Sequence, residues 1–462
     1  MSRRLLLLAL GASLGVAGAS AGAARARLGG TLAIGLSGLP VPAPGALADA
    51  PEAASARALV ALPLCRLEAG AVPVLAAARR RTGSGAGEVV ISPLAGARFP
   101  DGTALAAHDI ARGWRALAAA GGGAYLGLLA PVASLEPLLE AAAARSEAEL
   151  LLPLAYPWPD LEASLCHPAL TPVRGSGAAA MGIGLYAQEA GGQLGRWPGV
   201  PSGLPFPAAV SFVPALPRAA ARLLRTGELR AVLGEPGQSE PPGPLLFATY
   251  LAHRPGRVPE GALAVLAALD LGELVRTFVP GPATPMPGLL PPSLLEPPPR
   301  PAPGRPGPPV AGAGAFTLGF DAALPEHRAV AERLQVKLHD AGYRVRLQAS
   351  DRPGLVRART DGSLDAALVS VLLPPLPAPA LAVVLALADP QLLSRELPAL
   401  GAIEDPGARA TRVRERAVEL QRTLPLVPLY ARGLRARLGP SLVDARRDAF
   451  GLLVLDDAWL TD

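Results

Sequence analysis

Histidine, cysteine and acidic side chains could carry chemistry in this chain, but their spacing forms no catalytic or metal-binding pattern. The sequence contains no G-x-S-x-G, H-E-x-x-H, Walker or C-x-x-C motif. Asp456 and Asp457 form a carboxylate pair in the tail. Five histidines lack metal-ligand spacing: His108, His167, His253, His327 and His339. We therefore predict a protein that is not an enzyme and holds no metal or cofactor.

Cys65 and Cys166 are the only two cysteines. In an oxidising compartment they could form one disulfide, and two separate buried thiols fit the sequence equally well. Both alternatives stay open at this point, because bridging depends on the distance between the two Cα atoms.

Charge and composition argue against a nucleic-acid partner. The chain has 462 residues and a formal net charge of +5, with Lys337 as its only lysine and 4% aromatic residues. Its arginines are scattered, whereas nucleic-acid binding requires clustered basic residues. The length is sufficient for two or three domains with a large core.

Residues 1–23 have the layout of a cleavable signal peptide. Arg3 and Arg4 precede the apolar run 5–10, and Ala21-Gly22-Ala23 forms an A-x-A cleavage site. No cysteine lies near that site, so we expect no lipid anchor. The later apolar stretch 366–388 is interrupted by four prolines and is not a membrane span. We predict a mature protein free in the periplasm, exported by the general or the twin-arginine route.

Residues 96–118, GARFPDGTALAAHDIARGWRALA, are the most informative stretch. Asp101-Gly102 predicts a turn, because aspartate bonds its own backbone and glycine accepts a positive φ. Ile110, Trp114 and Leu117 then recur at helical spacing, so a helix is expected after the turn.

This block resembles the F-x-D-G-T-P-x-T/A-A-E-D-V segment of the family 5 solute-binding proteins, the extracytoplasmic receptors of peptide- and nickel-type ABC importers. Ala104 replaces the usual proline, His108 the glutamate and Ile110 the valine. The matching positions are Phe99, Asp101, Gly102, Thr103, Ala106, Ala107 and Asp109.

Weaker matches to the same family follow in order along almost the whole mature chain. They lie at 28–35, 64–68, 166–168, 182–186, 227–231, 268–275, 283–292 and 424–430.

Periodicity and turn residues predict the principal elements. Segment 315–348 is a strand–helix–strand unit, and eight prolines make 297–309 an extended linker. Further strands are expected at 28–35, 88–92, 149–155, 247–254 and 364–371, and helices at 53–62, 217–226, 261–279 and 411–422.

The resemblance implies an α/β fold, that of a two-lobed periplasmic binding protein (type II, cluster C-like). Mixed sheets covered by helices would flank a cleft between the lobes. Lobe I would comprise 24–245, with 425–462 returning to it, and lobe II would comprise 246–424, including the linker 297–309. The chain would cross between lobes near 243–250 and 424–432.

In the family's peptide importers, a W-x-x-D-Y-P-D-P stretch follows the second-lobe strand, and its carboxylate anchors the peptide's amino group. Residues 368–375 correspond to it and contain neither the tryptophan nor the aspartate. An apolar wall with one hydroxyl cannot compensate an ammonium group, so a less charged ligand, or none, is expected. Position gives six candidate ligand-binding residues, for each of which a structural role is the favoured alternative: Tyr250, His253, Arg254, Ser370, Tyr430 and Arg432.

We therefore hypothesise a monomeric periplasmic receptor that closes two lobes on a solute, nominally a peptide, and delivers it to the permease subunits of an ABC importer. The alternative is a diverged, ligandless scaffold that acts as an interaction or sensory protein in the periplasm. An exported enzyme is the least favoured reading.

Overall fold

The computed structural model describes residues 29–36, 50–82, 87–144, 148–175, 180–189, 193–197, 206–215, 217–234, 243–295 and 314–461. The predicted signal peptide 1–23 and linker 297–309 lie outside these ranges. Within them, no helix has the length and apolar character required to cross a bilayer.

The described residues form α-helices of five to sixteen residues. In chain order they are α1 Pro51–Val60, α2 Ala107–Leu117, α3 Leu135–Ala144, α4 Leu161–Leu165, α5 Pro217–Thr226, α6 Glu260–Ala267, α7 Leu271–Phe278, α8 Pro325–Asp340, α9 Arg352–Asp361, α10 Pro377–Ala388, α11 Leu393–Gly401 and α12 Pro406–Leu420. Short turns of 3₁₀ or π helix occur at Ala69–Ala71, Ala118–Gly122, Gly123–Leu129, Pro168–Leu170 and Pro390–Leu392.

The strands alternate with these helices along the chain. They are β1 Thr31–Leu36, β2 Cys65–Glu68, β3 Val72–Leu75, β4 Ala78–Thr82, β5 Glu88–Pro93, β6 Leu150–Pro153, β7 Val173–Arg174, β8 Met181–Gly182, β9 Tyr186–Gln188, β10 Leu194–Arg196, β11 Ala209–Pro214, β12 Ala231–Leu233, β13 Phe247–His253, β14 Ala283–Pro285, β15 Ala315–Asp321, β16 Arg344–Ser350, β17 Ala366–Leu372, β18 Leu426–Arg432, β19 Ala436–Leu438, β20 Leu442–Val443, β21 Arg446–Arg447, β22 Leu453–Val454 and β23 Trp459–Leu460.

Two mixed six-stranded sheets organise the molecule. The first has the order β19-β12-β1-β11-β10-β9, and the second has the order β14-β18-β13-β17-β15-β16. A smaller sheet, β4-β5-β6, accompanies the first. The chain passes from the first sheet to the second between β12 and β13, and it returns between β18 and β19.

The second sheet is covered by helices on both faces, because its strands alternate apolar residues between two cores. Leu318 and Leu368 face a core that includes Leu334 of α8, whereas Ala367 and Val369 face the core that includes Leu355 of α9. Helices on both faces of parallel strands β15, β16 and β17 make this part of the sheet doubly wound.

The local predictions agree with the structure where short-range patterns decide. In the 96–118 block, the Phe99 N–H donates to the Thr103 carbonyl and Gly102 has φ +83°, as the predicted turn requires. Helix α2 then begins at Ala107, with the Asp109 carboxylate accepting the Ala106 N–H at 3.0 Å. The strand–helix–strand unit is present as β15, α8 and β16.

The single helix predicted over 261–279 is wrong, because two helices occupy this stretch. The first ends at Ala267, and Asp270 caps the second by accepting the Glu273 N–H at 2.9 Å. An aspartate that bonds the backbone two to three residues on competes with helix continuation. Helix α12 also begins earlier than predicted, at Pro406, behind the N-cap Asp405.

Cys65 and Cys166 are joined by a disulfide that ties β2 to the end of α4, across 101 residues of sequence. Of the two alternatives that the sequence leaves open, the structure therefore contains the bridged form.

Candidate ligand site

A large cavity lies at a topological switch point of the second sheet. From β15 the chain goes to β16 on one side and then returns across β15 to β17 on the other side. Helix α8 covers one face and α9 the other, so the crevice between them opens at the carboxyl ends of these strands. In open α/β sheets this crevice is the preferred ligand position.

This switch-point cavity has a volume of about 930 Å³. Its walls come from residues within the segments 121–124, 253–255, 321–327, 352–360, 368–370, 386–396 and 416–425. A volume of several hundred Å³ suits a small molecule or a short peptide.

A short hydrogen-bond chain forms the floor of the cavity beside β17. The Ser370 hydroxyl lies 2.7 Å from the Thr249 hydroxyl and 2.8 Å from His327 Nε2. Burial, followed by the charges of Arg352 and Arg432, lowers the pKa of His327 to about 3, so its ring is neutral at pH 7. The Nδ1 atom of this buried ring has no hydrogen-bond partner in the structure.

Arg352, the first residue of α9, connects the cavity floor with the part of the chain that precedes the first crossing. Its Nη1 donates to the Ser370 carbonyl at 2.8 Å, and its Nε donates to the Gly121 carbonyl at 3.4 Å. Gly121 has φ +84°, and a Cβ there would lie 3.1 Å from Val356. Glycine at this position therefore allows the 121–124 segment to close one side of the cavity.

A second junction between the two halves of the chain lies at Leu372, the last residue of β17. The Tyr125 hydroxyl accepts the Leu372 N–H at 2.9 Å, and His167 Nε2 lies 3.0 Å from the Leu372 carbonyl. A gap of only about 20 Å³ remains beside these side chains. Strand β15 pairs with β17 only at Ala366 and Ala367. At the end of β17, the side chains of Tyr125 and His167 therefore provide the hydrogen-bond partners of the Leu372 backbone.

Comparison with solved structures identifies this arrangement. The E. coli murein tripeptide binding protein MppA matches with a TM-score of 0.69 at 16% identity, covering 95% of this chain and 99% of that one. DppA of Helicobacter pylori, in complex with the peptide STSA, matches at 0.67 and 14%, covering 94% and 99%. The chain has the fold of the two-lobed periplasmic binding proteins.

A third two-lobed neighbour shows that this fold also occurs with a small aromatic ligand. It is a substrate binding protein from Microbacterium hydrocarbonoxydans complexed with 4-hydroxybenzoate hydrazide, with a TM-score of 0.66, 17% identity and coverage of 93% and 99%. Neighbours of this kind include family 5 solute-binding proteins, the class that the sequence resembles. No family model and no curated protein matches the chain.

Three of the six candidate residues border the switch-point cavity. They are His253 at the end of β13, Arg254 directly after it, and Ser370 on the neighbouring strand β17. Burial lowers the pKa of His253, which favours a neutral ring.

The two candidate tyrosines do not line the cavity. Tyr250 is fully buried, and its hydroxyl donates to the Leu289 carbonyl at 2.6 Å. Tyr430 is fully buried in the core beneath α8. Burial raises the pKa of both hydroxyls, so both stay protonated. These two positions therefore belong to the packed interior around the second sheet.

Arg432 also lies outside the cavity, because two carboxylates hold its guanidinium inside the protein. It forms an ion pair with Glu326 of α8 and lies 3.5 Å from Glu52 of α1. All three residues are at most 6% exposed. Glu52 lies in the part of the chain before the first crossing, so this triad connects that part with the second sheet. Burial raises the pKa of Glu52 against the opposing effect of Arg432.

Sequence reasoning did not identify the arginines of α9. Arg352 and Arg359 both line the cavity and stand seven residues apart, which places them on one face of a helix. The i, i+7 spacing behind an Asp-Arg-Pro helix start was the available signal. Among the described residues, no group of three histidine, cysteine or acidic side chains could hold a metal ion.

Proposed function

We propose that this chain is the solute-binding receptor of a family 5 ABC importer and that the switch-point cavity holds the solute. The observation that supports this most directly is the cavity's position at the carboxyl ends of β15 and β17, closed on one side by the 121–124 segment of the first lobe. A ligand there would contact both lobes.

The proposed cycle is opening and closing of the lobes about the two chain crossings, followed by delivery to a membrane permease. No covalent chemistry is involved. Lobe I would comprise 24–245 with the return of 425–462, and lobe II 246–424, although β18 itself pairs within the second sheet. We further propose export through the 1–23 signal peptide and a monomer in the periplasm.

The solute we propose is small and nominally a peptide. Neighbours of this fold bind a peptide in one case and an aromatic hydrazide in another. The missing aspartate at 368–375 removes the expected partner of a peptide amino terminus.

Native mass spectrometry of mature protein purified from its own periplasm tests this proposal. A released small molecule in one-to-one stoichiometry supports it, and the Ala388→Trp variant, which places an indole in the cavity, should then lose that molecule. Val336→Trp, on the exposed face of α8, is the control and should retain it.

The alternative, a ligandless interaction or sensory scaffold, is supported by the Leu372 junction. There, first-lobe side chains already occupy the backbone groups of β17. An empty protein that shows no thermal shift with peptides, sugars, amino acids or metals would favour this alternative and exclude the receptor.

A further inference from the structure

Positive charge dominates the polar lining of the switch-point cavity. Five arginines and three carboxylates line it, and one carboxylate, Glu396, is already neutralised within the protein. Arg416 donates to both oxygens of Glu396, at 2.9 and 2.8 Å. Four arginines then face two remaining carboxylates.

The two remaining carboxylates are used by their own turns. The Asp389 carboxylate accepts the Gln391 N–H at 3.0 Å, and the Asp321 carboxylate accepts the Ala323 N–H at 2.9 Å. Each therefore stabilises the local turn as a backbone cap. The lining thus carries two more arginines than carboxylates, an excess that pairing within the lining cannot remove.

Arg359 shows the consequence of this excess most clearly. Its guanidinium donates to a neutral group, the Leu387 carbonyl, at 3.3 Å. Burial and then the neighbouring charge of Arg352 lower the pKa of Arg359, so the cation is held in unfavourable surroundings. An anion beside these two guanidiniums would remove that penalty, and guanidinium is suited to bidentate carboxylate binding.

Most of the remaining lining is apolar, and its polar side chains are His253, His327, Thr360, Ser370 and Thr423. Leu355, Leu368, Val369 and Leu387 supply hydrocarbon walls. The partnerless Nδ1 of His327 can donate to an anion, because Nε2 can accept from the Ser370 hydroxyl.

We infer that the ligand of this cavity is a small organic acid, with its carboxylate beside Arg352 and Arg359 and its apolar body against the leucine and valine walls. The inference rests on the proposed receptor function and specifies the class of solute.

Matched acid and amide pairs test this inference on the full mature chain. The probes are 3-phenylpropionate with 3-phenylpropionamide and adipate with adipamide, measured by isothermal titration calorimetry and thermal shift. At least one acid should bind at least tenfold more tightly than its amide, since a charge-assisted hydrogen bond contributes more than a neutral one.

Arg359→Gln should weaken binding of that acid about 10- to 100-fold. Arg395→Gln, an exposed arginine at the rim, should weaken it about three- to fivefold. Arg357→Gln is the matched control, because Arg357 is exposed on the same helix and does not line the cavity. Its affinity should equal that of the wild type. Unliganded melting temperatures verify that each variant is folded.

The outcomes separate this inference from the function on which it rests. Acid binding that Arg359→Gln weakens and Arg357→Gln does not supports the inference. Preference for amides, amines or neutral peptides, or equal effects of the two substitutions, overturns the inference and leaves the receptor function intact. No binding of any probe, with no molecule released from native protein, overturns both.

Discussion

At the residue scale, His167 joins the lobes only as a neutral ring. Nδ1 accepts the Ala169 N–H at 3.1 Å, so the proton resides on Nε2, which donates to the Leu372 carbonyl at 3.0 Å. Protonation of Nδ1 would abolish the first of these bonds. Burial, followed by the charge of Arg57, lowers the pKa of His167 to about 3.

This pKa predicts a loss of stability in acid. Because the folded pKa lies below the ordinary value of 6.5, the unfolded chain takes up the proton first as the pH falls. The stability that the neutral His167 ring contributes is fully present above about pH 6.5. It is lost as the pH falls toward 3, at up to about 1.4 kcal/mol per pH unit. Urea unfolding at pH 7.5, 6 and 5 should show a shallower pH slope for His167→Gln. The exposed-site variant His339→Gln should retain the wild-type slope, and equal slopes for all three proteins would refute the assignment.

Arg432 gives a second prediction at this scale. Replacing it with leucine leaves Glu52 and Glu326 buried without a cation, so we expect the free energy of unfolding to fall by about 3–5 kcal/mol. Arg412→Leu removes an exposed pair with Glu415 and should cost less than about 1 kcal/mol. Similar losses in both variants, measured by urea unfolding, would contradict the structural role of Arg432.

At the element scale, the two chain crossings meet with almost no space between their backbones. A Cβ on Gly433, directly after β18, would lie 2.9 Å from the Pro244 carbonyl oxygen and 2.8 Å from Leu245. The Gly433 N–H donates to the Pro282 carbonyl at 3.0 Å, which fixes the crossing against the strand β14 region.

Gly433→Ala should therefore destabilise the protein by about 1–3 kcal/mol through overpacking at the crossing. Gly123→Ala is the control, because its Cβ would meet nothing within 4 Å and its φ of −52° is helical. This control should be neutral or slightly stabilising. Thermal unfolding of the two variants tests this prediction. Equal melting temperatures would show that the backbone around Gly433 can move apart to accept a methyl group.

Short-range sequence patterns determine which of these structural elements could be predicted. The Asp101-Gly102 turn and the β15–α8–β16 unit depend on neighbouring residues, so turn chemistry and periodicity located them. The switch-point cavity depends instead on topology, which brings Gly121, Arg254 and Arg359 together from distant parts of the chain. Tyr250 and Arg432 lie on β13 and β18, but the sequence did not indicate that their polar groups point to internal partners.

At the scale of the whole molecule, the structure shows the lobes in contact through several buried groups. Arg409 of α12 donates to both oxygens of Asp160 in the first lobe, at 3.0 and 2.8 Å. Tyr125, His167 and Arg432 add further links between the lobes. In the proposed receptor cycle, these contacts would correspond to the closed form.

Small-angle scattering should show whether these contacts hold the lobes closed without a ligand. If the protein cycles as a receptor, ligand-free protein should have a larger radius of gyration than the closed structure, and it should contract when ligand is added. Arg409→Gln should shift the ligand-free population further toward the open form, because it removes a buried charge pair between the lobes. A radius that matches the closed structure in every sample would exclude cycling and favour the ligandless scaffold.

The lining of the switch-point cavity is divided unequally between the lobes. Among the described residues, the first lobe supplies Gly121, Gly123 and Ala124, and every other lining residue falls between His253 and Pro425. In the proposed receptor, the backbone of these three small residues would cover the solute, and the side chains that distinguish one solute from another would come from 253–425. Solute preference would then be encoded in one continuous stretch of sequence, so recombination within 253–425 would change what the proposed receptor recognises without altering the remainder of the protein.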